Sequence, residues 1–142
     1  RRRQRQMCIR DRFNTNQPAS NLNGTAYSGY IYLSKAMEII NDTANNPDNN
    51  PLFMYLALQN NHCPFQVPQQ YIDQFNSSWD ELQRICAGMS LFVDTVIYNI
   101  TTLLKQNQMW NNTLLIISAD NGGPNGGKSP QGYNHTGLKF CS

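Results

Sequence analysis

The chain has 142 residues, 39% of them hydrophobic, and a formal net charge of +2. That length suits one domain or a piece of one, and the apolar share is enough for a packed core, which argues against a disordered chain. Six of the eleven Lys and Arg fall in residues 1–12, "RRRQRQMCIRDR", and the other five stand against eight Asp and Glu, so the body of the chain is acidic and does not suit nucleic acid.

Residues 1–12 read as a disordered or artefactual segment rather than as a binding arm. Residues 13–27 are polar, rich in Asn, and read as loop. "SGYIYLSKAMEIIND" carries apolar residues at Ile31, Leu33, Ala36, Met37, Ile39 and Ile40, the spacing of an amphipathic helix that starts near Ser28. "TANNPDNNP" is a turn-rich loop. "LFMYLAL", Leu52 to Leu58, is short, apolar and unalternating, as expected of a strand buried on both faces. "QNNHCPFQVPQQY" follows as a loop.

From Trp79 to about Gln106, the residues Leu82, Ile85, Met89, Phe92, Val93, Val96, Ile100, Leu103 and Leu104 recur three or four apart, which predicts one long helix with a single apolar stripe. Asp94 lies on this helix and is expected on its surface or in its packing. "NQMWNNT" ends the pattern. Leu114 to Ser118 then predict a second buried strand, and the rest is loop.

Strand, helix, strand is the pattern of a βαβ unit in a parallel sheet, hence the α/β class. Both strands then end at one sheet edge, where open α/β sheets bind ligands. His62 follows the first strand and Asp120 and Asn121 follow the second. A carboxylate and an amide carbonyl are hard oxygen donors suited to Ca²⁺ or Mg²⁺, and Ca²⁺ needs six to eight such oxygens, so these two are part of a site at most. An imidazole can donate to an anionic oxygen or move a proton, and Lys128 and Lys139 could each place an ammonium over the same crevice. Each of these residues also has a plain reading: an Asp-Asn-Gly turn, a loop histidine, solvated lysines.

The segments "PLFMYLALQNNHCPFQVP" and "GMSLFVDTVIYNITTLLKQNQMWNNTLLIISADNGG", in that order, resemble the sulfatase family, closest to its arylsulfatase B (N-acetylgalactosamine-4-sulfatase) type. The resemblance covers roughly Tyr27 to Gly127. It implies a partial catalytic domain, residues 13–142, with an alkaline phosphatase-like α/β/α sandwich and a mainly parallel sheet. It implies hydrolysis of sulfate esters of sugars or aryl alcohols, Asp120 and Asn121 as Ca²⁺ ligands, and His62 as a contact to the sulfate. A lysine beyond the Asp-Asn-Gly-Gly assists, Lys139 by its local context, with Lys128 in the intervening glycine loop. Relatives also carry glycosylation sequons where Asn99 and Asn111 stand.

The family's nucleophile is a formylglycine made from the cysteine of a Cys-x-Pro/Ser/Ala-x-Arg motif. None of Cys8, Cys63, Cys86 and Cys141 fits that motif, and the paired aspartates that complete the metal shell have no counterpart here. The expectation is an internal piece of a larger sulfatase, inactive alone and poorly soluble because its sheet edges lack partners. Two other readings stand beside it: a phosphatase or phosphodiesterase of the same superfamily, for which two histidines are few, and a glycosylated sulfatase-like domain that has lost the chemistry.

The four cysteines include no Cys-x-x-Cys pair, which argues against a zinc ribbon. The six Asn-x-Ser/Thr sequons, at Asn23, Asn41, Asn76, Asn99, Asn111 and Asn134, favour a secreted or lysosomal protein. The sequence shows neither a signal peptide nor an uninterrupted apolar run of membrane length, so no membrane span is expected.

Overall fold

The computed structural model describes residues 26–119 except 49 and 63. Within them helix α1 spans Ser28–Ala44, the single-turn α2 spans Gln69–Ile72, α3 spans Glu81–Gln106, and a 3₁₀ turn spans Trp110–Asn112. Both long helices fall where the apolar spacing predicts them. The short α2 sits inside the segment read as loop, directly after Pro68.

α3 starts on Asp80, whose side chain accepts a hydrogen bond from the Leu82 N–H at 2.9 Å. This satisfies one of the donors that a helix start leaves open. The helix ends with Gln108 in the left-handed region at φ 59°. The Gln108 N–H donates to Lys105 O at 3.1 Å and the Met109 N–H to Leu104 O at 2.9 Å, the paired bonds of a Schellman cap. Met109 also packs beside Leu104, the apolar contact that accompanies such a cap.

The core is built around Phe92, which is fully buried. Tyr27, Tyr30 and Tyr71 meet its ring edge-on, with centroids 5.0, 5.3 and 5.5 Å away. Edge-to-face contact suits the positive rim and negative face of aromatic rings. Leu33 and Val96 complete this cluster, while Ile40, Leu103 and Leu104 form a second one further along the same helices. α1 and α3 run parallel: Gly29 lies against Phe92 at one end, and the Asn107 amide donates to Asn41 Oδ1 at the other, 3.0 Å.

Residues 52–58 lie along both helices in the opposite sense. Leu52 and Met54 pack with the Ile40–Leu104 cluster, Leu56 and Leu58 with the Phe92 cluster. Burial alternates residue by residue: Leu52, Met54, Leu56 and Leu58 are half-buried, while Phe53 is 92% and Tyr55 85% exposed. The expected burial on both faces is therefore not met; one face is covered by helices and the other is open. The second apolar run is more exposed still, with Leu114 at 85% and Ile116 at 76%. Among the described residues neither run pairs as a strand. Asp94 is exposed, in keeping with a surface position on α3. That helix has the length and apolarity of a bilayer-crossing segment. Its buried stripe, Leu82 to Leu104, packs on α1, α2 and residues 52–58 as a core helix does.

Candidate functional site

His62 lies just beyond the first apolar run, and the residues before it are tied to the helices one after another. The Ser28 hydroxyl and the Gln59 amide oxygen are 3.2 Å apart. The Asn60 amide nitrogen donates to the Tyr27 hydroxyl at 3.0 Å and to the Met89 carbonyl at 3.2 Å. The Asn61 amide donates to Ser90 Oγ at 3.3 Å. Asn61 itself sits at φ 66°, a left-handed conformation that Asn tolerates better than most residues. That backbone reversal turns the chain off the run, and His62 emerges exposed at the bend.

Beyond His62 the chain is tied down again. Phe65 packs on the buried pair Leu82 and Cys86. Cys86 is 1% exposed and disulfide-bonded. Val67 and the Tyr71 backbone press on α3 at Gly88, where an added Cβ would meet them at 3.1 to 3.3 Å. Glycine at that point is what lets α2 lie this close to α3. His62 thus lies exposed between loop positions fixed at Asn60 and Asn61 on one side and at Phe65 on the other.

Burial also pushes the Tyr27 hydroxyl above the ordinary phenol range, partly offset by the hydrogen bond from Asn60. Tyr30 is pushed up to about 12 by burial, with a further contribution from its hydrogen bond to the Tyr71 hydroxyl at 3.5 Å. Both rings are therefore neutral at physiological pH and act as packing and hydrogen-bonding groups rather than as bases.

Asp120, Asn121, Lys128 and Lys139 lie outside the described residues. Their donor chemistry, a carboxylate and an amide oxygen, fits part of a Ca²⁺ shell. Among the described residues there is no group of three His, Cys, Asp or Glu side chains that could hold a metal ion by itself. The two sequons expected from the resemblance differ in setting. The Asn99 amide donates to Thr95 O at 2.7 Å inside α3, whereas Asn111 is exposed in the 3₁₀ turn.

Residues 4–139 match the family model described as Sulfatase. The chain belongs to the sulfatase family. It is 32% identical over 117 residues to Arylsulfatase J of Mus musculus, covering 82% of this chain and 19% of that protein. It is 30% identical over 93 residues to the Uncharacterized sulfatase YdeN of Escherichia coli (strain K12), covering 64% of this chain and 16% of that protein. The chain therefore spans about a fifth or less of the length of these relatives. No solved structure matches it. Sequence reasoning missed the two asparagines, Asn60 and Asn61, that hold the chain just before His62. The segment "QNN" shows amide groups after an apolar run, but not the partners they reach on α3, which lie 29 positions further along.

Proposed function

We infer that the chain is part of an arylsulfatase, a sulfuric ester hydrolase of the arylsulfatase B type acting on sulfated sugars. The family match over residues 4–139 carries this reading, and the fixed loop that presents His62 supports it. In this reading the His62 imidazole donates a hydrogen bond to a sulfate oxygen, and the Lys139 ammonium adds a point charge on the same group. Asp120 and Asn121 hold part of a Ca²⁺ shell, and the bound ion would stabilise negative charge on the ester oxygens. The nucleophile belongs to a Cys-x-Pro-x-Arg motif that this chain does not contain.

The proposed fold is the α/β/α sandwich with a mainly parallel sheet. Two parallel helices packed on one face of an extended run of opposite direction is the arrangement that such a sheet needs on one side. The proposed location is lysosomal or secreted. Six sequons and a disulfide at Cys86 support it, since disulfides persist in oxidising compartments.

The deciding experiment is hydrolysis of an aryl sulfate by the full-length protein, with and without a calcium chelator, against His62→Ala. Turnover that falls in the variant and with the chelator supports the reading. Hydrolysis of an aryl phosphate in preference to the sulfate would move the protein to the phosphatase branch. A folded protein that turns over neither would leave a domain without the chemistry.

A further inference from the structure

Four of the six sequons lie among the described residues, and the structure separates them. Asn41 sits in α1, and its side-chain oxygen accepts from Asn107. Asn99 sits in α3 with its amide nitrogen committed to Thr95 O. Asn111 is exposed in the 3₁₀ turn. Asn76 lies outside any helix, between α2 and α3, in "QFNSSWDE", and every residue from Asn76 to Asp80 is exposed.

The turn at Asn76 is held in one shape. The Trp79 N–H donates to Asn76 O at 3.0 Å, closing a β-turn. The Ser78 N–H donates to Asn76 Oδ1 at 2.9 Å, an Asx turn that fixes the carboxamide by its oxygen alone. Its nitrogen, the atom a sugar would take, lies in an exposed turn and has no hydrogen-bond partner among the described residues. On either side of the sequon, Phe75 and Trp79 stack with centroids 5.7 Å apart and planes at 26°. Trp79 is 48% exposed, so much of this aromatic surface is open to solvent. The turn brings the Trp79 Cα within about 7 Å of the Asn76 Cα. The apolar face of a first sugar ring on Asn76 would find an aromatic surface beside it.

We propose that Asn76 is an N-glycosylation site whose first sugar covers the Phe75–Trp79 pair. The amide nitrogen bonds to the anomeric carbon of an oligosaccharide carried on a lipid pyrophosphate. The bond from that carbon to the pyrophosphate oxygen breaks, the lipid pyrophosphate leaves, and one amide proton is lost. The inference rests on the secretory part of the function proposed above, and not on its chemistry.

The test is to secrete the full-length protein from cultured insect cells behind a host signal peptide, which forces entry whatever the natural address. Enzymatic removal of N-glycans converts each glycosylated Asn to Asp, and peptide mass spectrometry reads the conversion site by site. Conversion at Asn76 is expected, lost in Asn76→Gln and in Ser78→Ala, and kept in Ser78→Thr. Removing the sugar should raise Trp79 quenching by acrylamide, while Asn111→Gln should leave that quenching unchanged. An unmodified Asn76 beside a modified Asn111 would overturn the proposal, as would a protein carrying no glycan at all. Aryl sulfate hydrolysis measured on the same material reports on the sulfatase reading separately.

Discussion

The side-chain amide of Asn60 donates to the backbone carbonyl of Met89, 3.2 Å away and 29 positions further along the chain. This bond fastens the end of the first apolar run to the middle of α3, two residues before His62. Replacing Asn60 by Ala removes it together with the bond to Tyr27, so the half-buried Tyr27 hydroxyl loses its donor and the Met89 carbonyl keeps only its bond within the helix. The stability cost is about 1–3 kcal/mol. In the arylsulfatase reading proposed above, the His62 imidazole then samples more positions, and substrate binding should suffer more than turnover. Steady-state aryl sulfate hydrolysis by full-length Asn60→Ala should show a KM raised several-fold and a smaller fall in kcat. An unchanged KM in a destabilised protein would reduce Asn60 to a purely structural role.

Gly29 tests the aromatic core from the other side. In a helix, Gly→Ala ordinarily gains about 1 kcal/mol. Here an added Cβ would come within 2.6 Å of Phe92 Cζ and 2.8 Å of Tyr27 Cε1. Phe92 is hemmed in by three tyrosines and cannot swing aside. The clash should win, and Gly29→Ala should lose about 1–3 kcal/mol net of the propensity gain. Urea denaturation of the two proteins decides it, and a rise in midpoint would mean that the ring yields.

Alkaline titration should reveal Tyr30. Its folded pKa, pushed up to about 12, exceeds the ordinary phenol value near 10. A group with a raised folded pKa contributes stability that is complete below the unfolded value and is lost as pH rises through the folded one. Stability should therefore hold up to about pH 10 and fall between roughly 10 and 12. Tyr30→Phe keeps the ring and removes the proton, so its curve should be flatter over that window. Parallel curves would place the alkaline loss elsewhere.

The bond at Cys86 predicts a redox dependence. A native disulfide commonly contributes about 2–5 kcal/mol. Denaturant midpoints measured with and without reductant should differ accordingly, and Cys86→Ser should match the reduced protein. Coincident midpoints would show that Phe65 and Leu82 hold that part of the loop without it.

The long helices were legible because their apolar residues recur at the helical period, and nothing in Ser28–Ala44 or Glu81–Gln106 competes with that signal. Leu52 to Leu58 misled for a definite reason. Phe53 and Tyr55 are as apolar as the residues that pack, so the two-residue alternation of burial leaves no trace in composition. α2 is a single turn set by Pro68 and by contact with Gly88, a tertiary cause that no local pattern records. Of the site, His62 could be placed from its position after an apolar run. Asn60 and Asn61, which fix it, could not, because their partners Met89 and Ser90 are distant in sequence. Asp120, Asn121 and Lys139 lie outside the described residues.

The rings around Phe92 also bear on how the chain reaches this structure. Tyr71 is 21 positions from it, but Tyr30 is 62 and Tyr27 is 65, so the two contacts to α1 are among the longest-range in the described fold. α3 can start alone from its cap at Asp80, but it gains no ring contact until two large loops have closed. Loop closure of that kind slows folding, because its entropy is spent before any contact returns it. Truncating Phe92 to Leu should then slow refolding more than it speeds unfolding, the mark of a residue already in place at the barrier. Stopped-flow refolding of the two proteins would show it, and an effect confined to the unfolding limb would put ring assembly after the barrier.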